Sequence, residues 1–165
     1  MTGVTRPIAI RPATPADVPQ ILQFIRDLAT FEREPDAVVA TEALLAKALF
    51  AEKSAEALMA QVDGVSVGFA LFFHNFSTWT GRKGIWLEDL YVDPPARGQG
   101  VARALLRHIA RLALERDCAR FEWAVLDWNQ TAIDVYRKIG AVGMDEWRIQ
   151  RVSGAALKRL AAGAE

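Results

Sequence analysis

Two hydrophobic periods alternate along this chain. Ile8-Ala9-Ile10-Arg11 predicts a short opening strand. Val18, Ile21, Leu22, Ile25, Leu28 and Ala29 then recur every three or four residues, the spacing of a helix with one buried face. Thr14-Pro15-Ala16-Asp17 supplies its start: a capping threonine, a proline suited to the first turn, and an aspartate that favours the helix N-terminus. The helix should end near Phe31 or Glu32, because Pro35 disfavours helix before it. Thr41 predicts the cap of a second helix, with Leu44, Leu45, Ala48 and Leu49 inward. The period then falls to two. Ala57–Val62 and Val65–Phe73 read as hairpin arms around Asp63-Gly64, and Phe72 breaks the alternation in a way that predicts burial on both faces. His74 to Gly84 reads as a loop.

The next stretch organises the rest. Trp86-Leu87-Glu88-Asp89-Leu90-Tyr91-Val92 is rich in aromatic and branched residues and predicts a strand, closed by Asp93-Pro94-Pro95. Arg97-Gly98-Gln99-Gly100 follows as a loop. Val101, Leu105, Ile109 and Leu112 then predict a helix whose second, polar stripe is Arg103, Arg107 and Arg111. Arg120–Leu126 predicts another strand, Thr131–Lys138 a helix ended by Gly140, Met144–Val152 a last strand and Gly154–Ala161 a short helix. The order β-α-α-β-β-β-α-β-α-β, before that final helix, implies an antiparallel meander followed by parallel strands joined through the Arg103 helix.

With 165 residues and 52% hydrophobic content, the chain suits one domain with its own core. A formal net charge of zero disfavours a dedicated nucleic-acid binder. A single cysteine, Cys118, forbids an internal disulfide and suits a reducing cytoplasm. No leader, membrane-spanning run or repeat is expected. His74 and His108 stand apart, and no clustered ligand spacing suggests a metal.

The candidate chemistry lies in the glycine loop. Glycines can turn their N–H groups inward, and a helix N-terminus adds partial positive charge, so loop and helix together can cradle a phosphate. Arg97 and Arg103 could add full charges. A turn that only starts a helix is the other reading. A P-loop is excluded, since no Gly-Lys-Ser/Thr ending is present. A dinucleotide fingerprint fails because Arg103 stands where its third glycine should be.

Arg97-Gly98-Gln99-Gly100-Val101-Ala102 resembles the acyl-CoA loop of the GNAT acetyltransferases, Arg/Gln-x-x-Gly-x-Gly/Ala. Leu87–Val92, Trp128-Asn129-Gln130 and Tyr136–Ala141 look like the diamine (spermidine/spermine) acetyltransferase branch. Ser77-Thr78-Trp79 and Ala124–Gln130 are similar to its thialysine N-epsilon-acetyltransferases, and Ile10–Thr14 also matches. The likeness spans nearly the whole chain. It implies a GNAT fold of α/β (α+β) class, as one domain over residues 1–165: a mixed sheet with an antiparallel meander and splayed parallel central strands, flanked by helices.

The resemblance also implies roles. Acetyl-CoA would be held by Leu90, Tyr91 and Val92, by the loop and helix start from Arg97 through Gly98, Gln99, Gly100, Val101 and Ala102 to Arg103, and by Asn129, Thr131 and Ala132. The strand would splay from its parallel neighbour, freeing the amides of Leu90 and Val92 for the acetyl carbonyl and the pantetheine. Glu88 would accept the amine proton; a cross-strand ion pair is its alternative. Tyr136 would donate to the sulfur; a core aromatic is the alternative. Phe31, Glu32, Glu88, Asp89, Glu122, Trp123, Ala124 and Asp145 would line the amine site. The polyamine enzymes carry an extra acid where this chain has Ser77-Thr78-Trp79, which favours a shorter acceptor such as thialysine, lysine or a small diamine. A homodimer is expected. An acyl-CoA sensor without turnover and a protein N-acetyltransferase are the competing functions.

Overall fold

The computed structural model describes residues 6–163. It divides into two units, residues 1–126 and 127–165. The first unit is built on a five-stranded sheet in the order β1-β2-β3-β4-β5, where β1 is Ile8–Pro12, β2 Glu56–Val62, β3 Val65–Ser77, β4 Arg82–Val92 and β5 Phe121–Trp123. β1 to β4 pair antiparallel, and β4 pairs with β5 in parallel. The helices of this unit are α1 (Val18–Phe31), α2 (Glu42–Ala46) and α3 (Val101–Glu115), and α3 is the crossover from β4 to β5.

Strand alternation divides the core between two faces. On one, Ala57, Met59, Phe69 and Tyr91 pack with Ile21 and Phe24 of α1 and with Leu49. Phe24 stacks on Phe69 at 5.7 Å between ring centroids and leans on Tyr91 at 5.5 Å. Phe24 was not among the residues expected inward; it widens the buried stripe of α1. On the other face Leu58, Phe72, Ile85 and Leu87 are buried, and α3 supplies Val101, Leu105 and Ile109. Phe69 and Phe72 are therefore both enclosed, and β3 is covered on two sides as its irregular alternation implied. Gly68 of β3 sits where a Cβ would come within 2.6 Å of the Tyr91 carbonyl oxygen, so only glycine lets β4 approach there.

α1 is anchored at its start by Asp17. The Arg11 guanidinium donates twice to its carboxylate at 2.7 Å, and the Thr14 amide and hydroxyl donate at 2.7 and 2.9 Å. Hydrogen bonding from Arg11 holds the Asp17 carboxyl well below the usual carboxylate range. A carboxyl so lowered stabilises the fold above its unfolded value and loses that contribution as pH falls through its folded one. Asp17→Ala is expected to cost about 2 kcal/mol in urea unfolding at pH 7. The gap to the native chain should narrow in acid.

Four expectations need correction. The segment read as a loop from His74 to Gly84 is mostly ladder: His74 pairs with Ile85 and Asn75 with Gly84, leaving only residues 78–81 as the turn. Its polar residues hid a hairpin that pairing with a neighbour, not hydrophobicity, stabilises. Leu44 is 58% exposed rather than inward. After α2 the backbone opens into a π turn at Lys47–Ala51, with the Glu52 amide bonding the Lys47 carbonyl at 2.8 Å, and the π turn re-phases the helix face so that Leu49 is the buried residue. β5 spans three residues, not seven, because its pairing stops at Leu87–Trp123. The strand expected at Met144–Val152 does not form. A strand needs a ladder partner, and among the described residues this segment has none; Met144, Trp147, Ile149 and Val152 are exposed.

The second unit holds α4 (Gln130–Lys138) and α5 (Gly154–Ala161). Asn129 caps α4, accepting from the Ala132 amide at 3.3 Å. Gly140 ends it at φ 91°, and the Ala141 amide returns to the Tyr136 carbonyl at 3.0 Å.

Candidate active site

The site is shaped by one extra residue in β4. Leu71 of β3 pairs with Asp89, yet Phe72 pairs with Leu87, so Glu88 is a bulge. Before it, the Ile85 amide bonds the Arg120 carbonyl at 2.9 Å, and odd-numbered amides of β4 face β5. After it, the Asp93 amide bonds the Val67 carbonyl of β3 at 2.8 Å. Counting back in twos, the Asp93, Tyr91 and Asp89 amides face β3, and those of Leu90 and Val92 face the edge that β5 has already left. The bulge thus reverses the parity of the strand and leaves two consecutive outward amides on an unpaired edge. β4 and β5 part after Leu87 and Trp123, as the resemblance implied.

The glycine loop lies beyond that edge. Gly98 and Gly100 have φ 75° and 89°, a left-handed backbone that a side chain would strain. Gly100 is the N-cap of α3, and the first bond inside the helix runs from the Ala104 amide to the Gly100 carbonyl at 2.9 Å. The Val101, Ala102 and Arg103 amides therefore have no partner within the helix. A Cβ placed at Gly98 or Gly100 would meet nothing within 4 Å, so the space above the loop is open. Exposed amides, helix dipole and open space fit a diphosphate. Arg97 is held differently from the expectation of a free charge. Its Nε donates to the Val92 carbonyl at 2.9 Å, and its guanidinium lies 5.5 Å from the Phe31 ring and 5.8 Å from the Tyr91 ring. It ties the loop to the end of β4. Gln99 likewise turns back, donating to the Pro95 carbonyl at 2.9 Å.

Three of the expected acids gather at the bulge. Burial, and then the charges of Glu88 and Glu32, push Asp89 up to about 6. Glu32, at the end of α1, is raised by its own partial burial. Glu88 is exposed, and the Trp86 indole donates to it at 3.0 Å. A solvent-facing carboxylate held by one donor keeps free lone pairs for an ammonium ion or its proton. The cross-strand ion pair that was the alternative for Glu88 is absent among the described residues. Glu122, by contrast, is engaged: it accepts from Asn75 at 3.1 Å and pairs with Arg120 at 3.4 Å. Trp123 packs against Phe121 in a tilted ring pair, 4.9 Å between centroids, and stands in register with Leu87, and Ala124 is exposed just past β5. Tyr136, Asn129, Thr131, Ala132 and Asp145 belong to the second unit.

Sequence reasoning missed the Trp86 donor, the Arg97 clamp and the acids Asp27 and Asp93, whose charges act on Tyr91. Trp86 had a usable signal, since it lies two residues from Glu88 on one strand.

A profile of the acetyltransferase (GNAT) family matches residues 20–141. A thialysine N-epsilon-acetyltransferase of Sus scrofa is 37% identical over 93% of this chain and 97% of its own length. An L-ornithine N5-acetyltransferase of Arabidopsis thaliana is 30% identical over 92% of this chain and 86% of its own. Among solved structures, an integron cassette protein from the mobile metagenome of V. cholerae superposes with a TM-score of 0.77 at 25% identity, covering 96% of this chain and 99% of that one. An open amide edge, a helix-capped glycine loop and full-length relatives converge: the chain belongs to the acetyltransferase (GNAT) family and is an acyltransferase.

Proposed function

We propose that the protein acetylates a primary amine of a small cationic acceptor, of lysine, ornithine, thialysine or diamine length, with acetyl-CoA as donor. The observation that carries the reading is the clustering of Glu32, Glu88 and Asp89 beside the unpaired amides of Leu90 and Val92. Relatives that act on thialysine and ornithine support it. Acetyl-CoA, when bound, supplies an activated acyl thioester, and the amides of the glycine loop and of Val101, Ala102 and Arg103 hold its diphosphate.

A lysine-like amine has a pKa of about 10.4 and arrives protonated. Asp89 and Glu32 attract that cation and orient it. Glu88 accepts its proton, directly or through water. The Leu90 amide would hold the acyl oxygen of the bound donor and the Val92 amide its pantetheine arm. Tyr136 would hold the proton needed by the coenzyme's sulfur, and Asn129, which caps α4, would also hold the coenzyme. The same reading has the enzyme work as a cytoplasmic homodimer; the lone Cys118 and the exposed apolar side chains of Val142, Met144, Trp147 and Ile149 support it.

The test is a panel of amines with acetyl-CoA, following thiol release. Short amines and amino acids with a side-chain amine should outrun spermidine, and free amines should outrun peptides. Transfer to peptides alone, or coenzyme binding with no turnover, would replace this reading with one of its rivals. A pH profile adds a second check. Because Asp89 sits at about 6, it is mostly anionic at pH 7 and takes up a proton as pH falls through 6. Acceptor kcat/KM should show an acid limb near that value, and Asp89→Asn should remove the limb while lowering the plateau roughly tenfold.

A further inference from the structure

On the first unit, away from the amide edge, an open cavity of about 590 Å³ is lined by Leu49, Lys53, Glu56, His74, Lys83 and Arg116. Arg116 follows the last turn of α3, whereas the glycine loop precedes its first. Fifteen residues separate the two, roughly 22 Å at 1.5 Å per residue. The cavity is thus separate from the acetyl-transfer site.

Its lining comes from parts of the chain far apart in sequence and is dominated by cations. Arg116 spends its guanidinium on Glu56, donating through both terminal nitrogens, one at 2.8 Å. That pairing consumes the only carboxylate on the wall. Neither Lys53 nor Lys83 makes an ion pair among the described residues. His74 Nε2 lies 3.5 Å from Arg116 Nη1, so its ring borders the same hollow. Two ammonium groups and an imidazole therefore face one space whose lining carboxylate, Glu56, is already paired with Arg116.

The backbone at the rim is unusual in two places. The π turn at Lys47–Ala51 shifts the chain leading into the cavity. Lys53 then takes φ 52°, a left-handed conformation for which glycine or asparagine is the usual choice. Neither feature is required to close the sheet. Together they deliver the Lys53 side chain to the rim, and strain of this kind concentrates at ligand clamps.

We propose that this cavity is a second ligand site, for a small anion carrying a phosphate group. Two lysines offering point charges, with a guanidinium already fixed behind them, suit the compact charge of a phosphate. The apolar wall at Leu49 leaves room for a short organic stem.

His74 is the reporter. It is one of two histidines in the chain, so its ring signals can be assigned by the loss of one set in His74→Asn. Burial and the charges of Arg116 and Lys83 lower its pKa, while Glu56 raises it. An added phosphate should raise it. The experiment follows histidine side-chain resonances of the full chain during titration with inorganic phosphate and with pyrophosphate. Sodium chloride at matched ionic strength is the control. Expected are saturable shifts of His74 but not His108, stronger with pyrophosphate, and roughly tenfold weaker in Lys53→Gln/Lys83→Gln. Acetyl transfer by that variant should be unchanged, which shows that it folds. A shift equal to that from chloride, one that never saturates, or one that survives loss of both lysines overturns the proposal. None of these outcomes bears on the acetyl-transfer reading.

Discussion

Glu88→Gln is expected to lower acceptor turnover about a hundredfold at neutral pH, and Tyr136→Phe by a similar factor, each measured as thiol release under saturating acetyl-CoA. The two losses should differ in kind. A glutamine at the bulge keeps the size and the Trp86 contact of Glu88 but cannot accept a proton. Its defect should shrink as pH rises towards the acceptor's own pKa, because the amine then arrives already neutral. On the proposed roles the Tyr136 variant lacks a donor for the leaving thiolate, so its defect should remain at high pH and fall on kcat more than on KM. A pH profile of the two variants separates base from acid. If both retain full turnover, the assigned roles are wrong, and the acidic cluster serves attraction alone.

Gly100→Val should weaken coenzyme A binding by one to two orders of magnitude in calorimetry. Gly100 stands at φ 89°, where an L-residue costs roughly 1–2 kcal/mol and a branched one more. The open space at this position means that no clash forces the change. The loss comes from the backbone relaxing towards negative φ, which turns the amides at the start of α3 away from their common focus. Thermal stability should fall much less than affinity, since α3 is held from Val101 onward by buried Val101, Leu105 and Ile109. An unchanged heat of binding would show that the loop does not hold the diphosphate.

What could be read from the chain follows from which forces are local. The amphipathic stripes of α1 and α3, the Asp63-Gly64 turn, the Thr41 and Gly140 caps and the glycine loop all depend on residues near one another in sequence, and all appear where expected. The polar half of the β3–β4 hairpin was hidden, because Thr78-Trp79-Thr80-Gly81 looks like loop and only pairing makes its flanks strand. The outward turn of Leu44 depended on a π turn that no residue pattern announces. The segment from Met144 to Val152 alternates like a strand, yet a pattern cannot supply a partner. In the site, the identities of Glu32, Glu88 and Asp89 were legible from the resemblance, but their mutual influence was not. Placing Glu32 beside Asp89 requires α1 to end above the middle of β4, a tertiary fact. The engagement of Glu122 was not legible, because its partner Asn75 lies 47 positions away.

The inserted residue in β4 has a wider implication. On the proposed reading Glu88 is the carboxylate that takes the proton, and it is also the extra residue that shifts the register of β4 two positions before the Leu90 amide. Changing its side chain alters the chemistry and leaves the spacing intact. Deleting it would restore regular pairing of Leu87 and Asp89 with β3, removing the carboxylate and the kink together while Leu90 and Val92 kept their outward face. On the proposed reading, proton acceptor and oxyanion donor stand two residues apart across one kink of the backbone, so acceptor preference can be retuned at Glu32 or Asp89 at a moderate loss of rate, whereas shortening the strand at Glu88 removes base and kink in a single change.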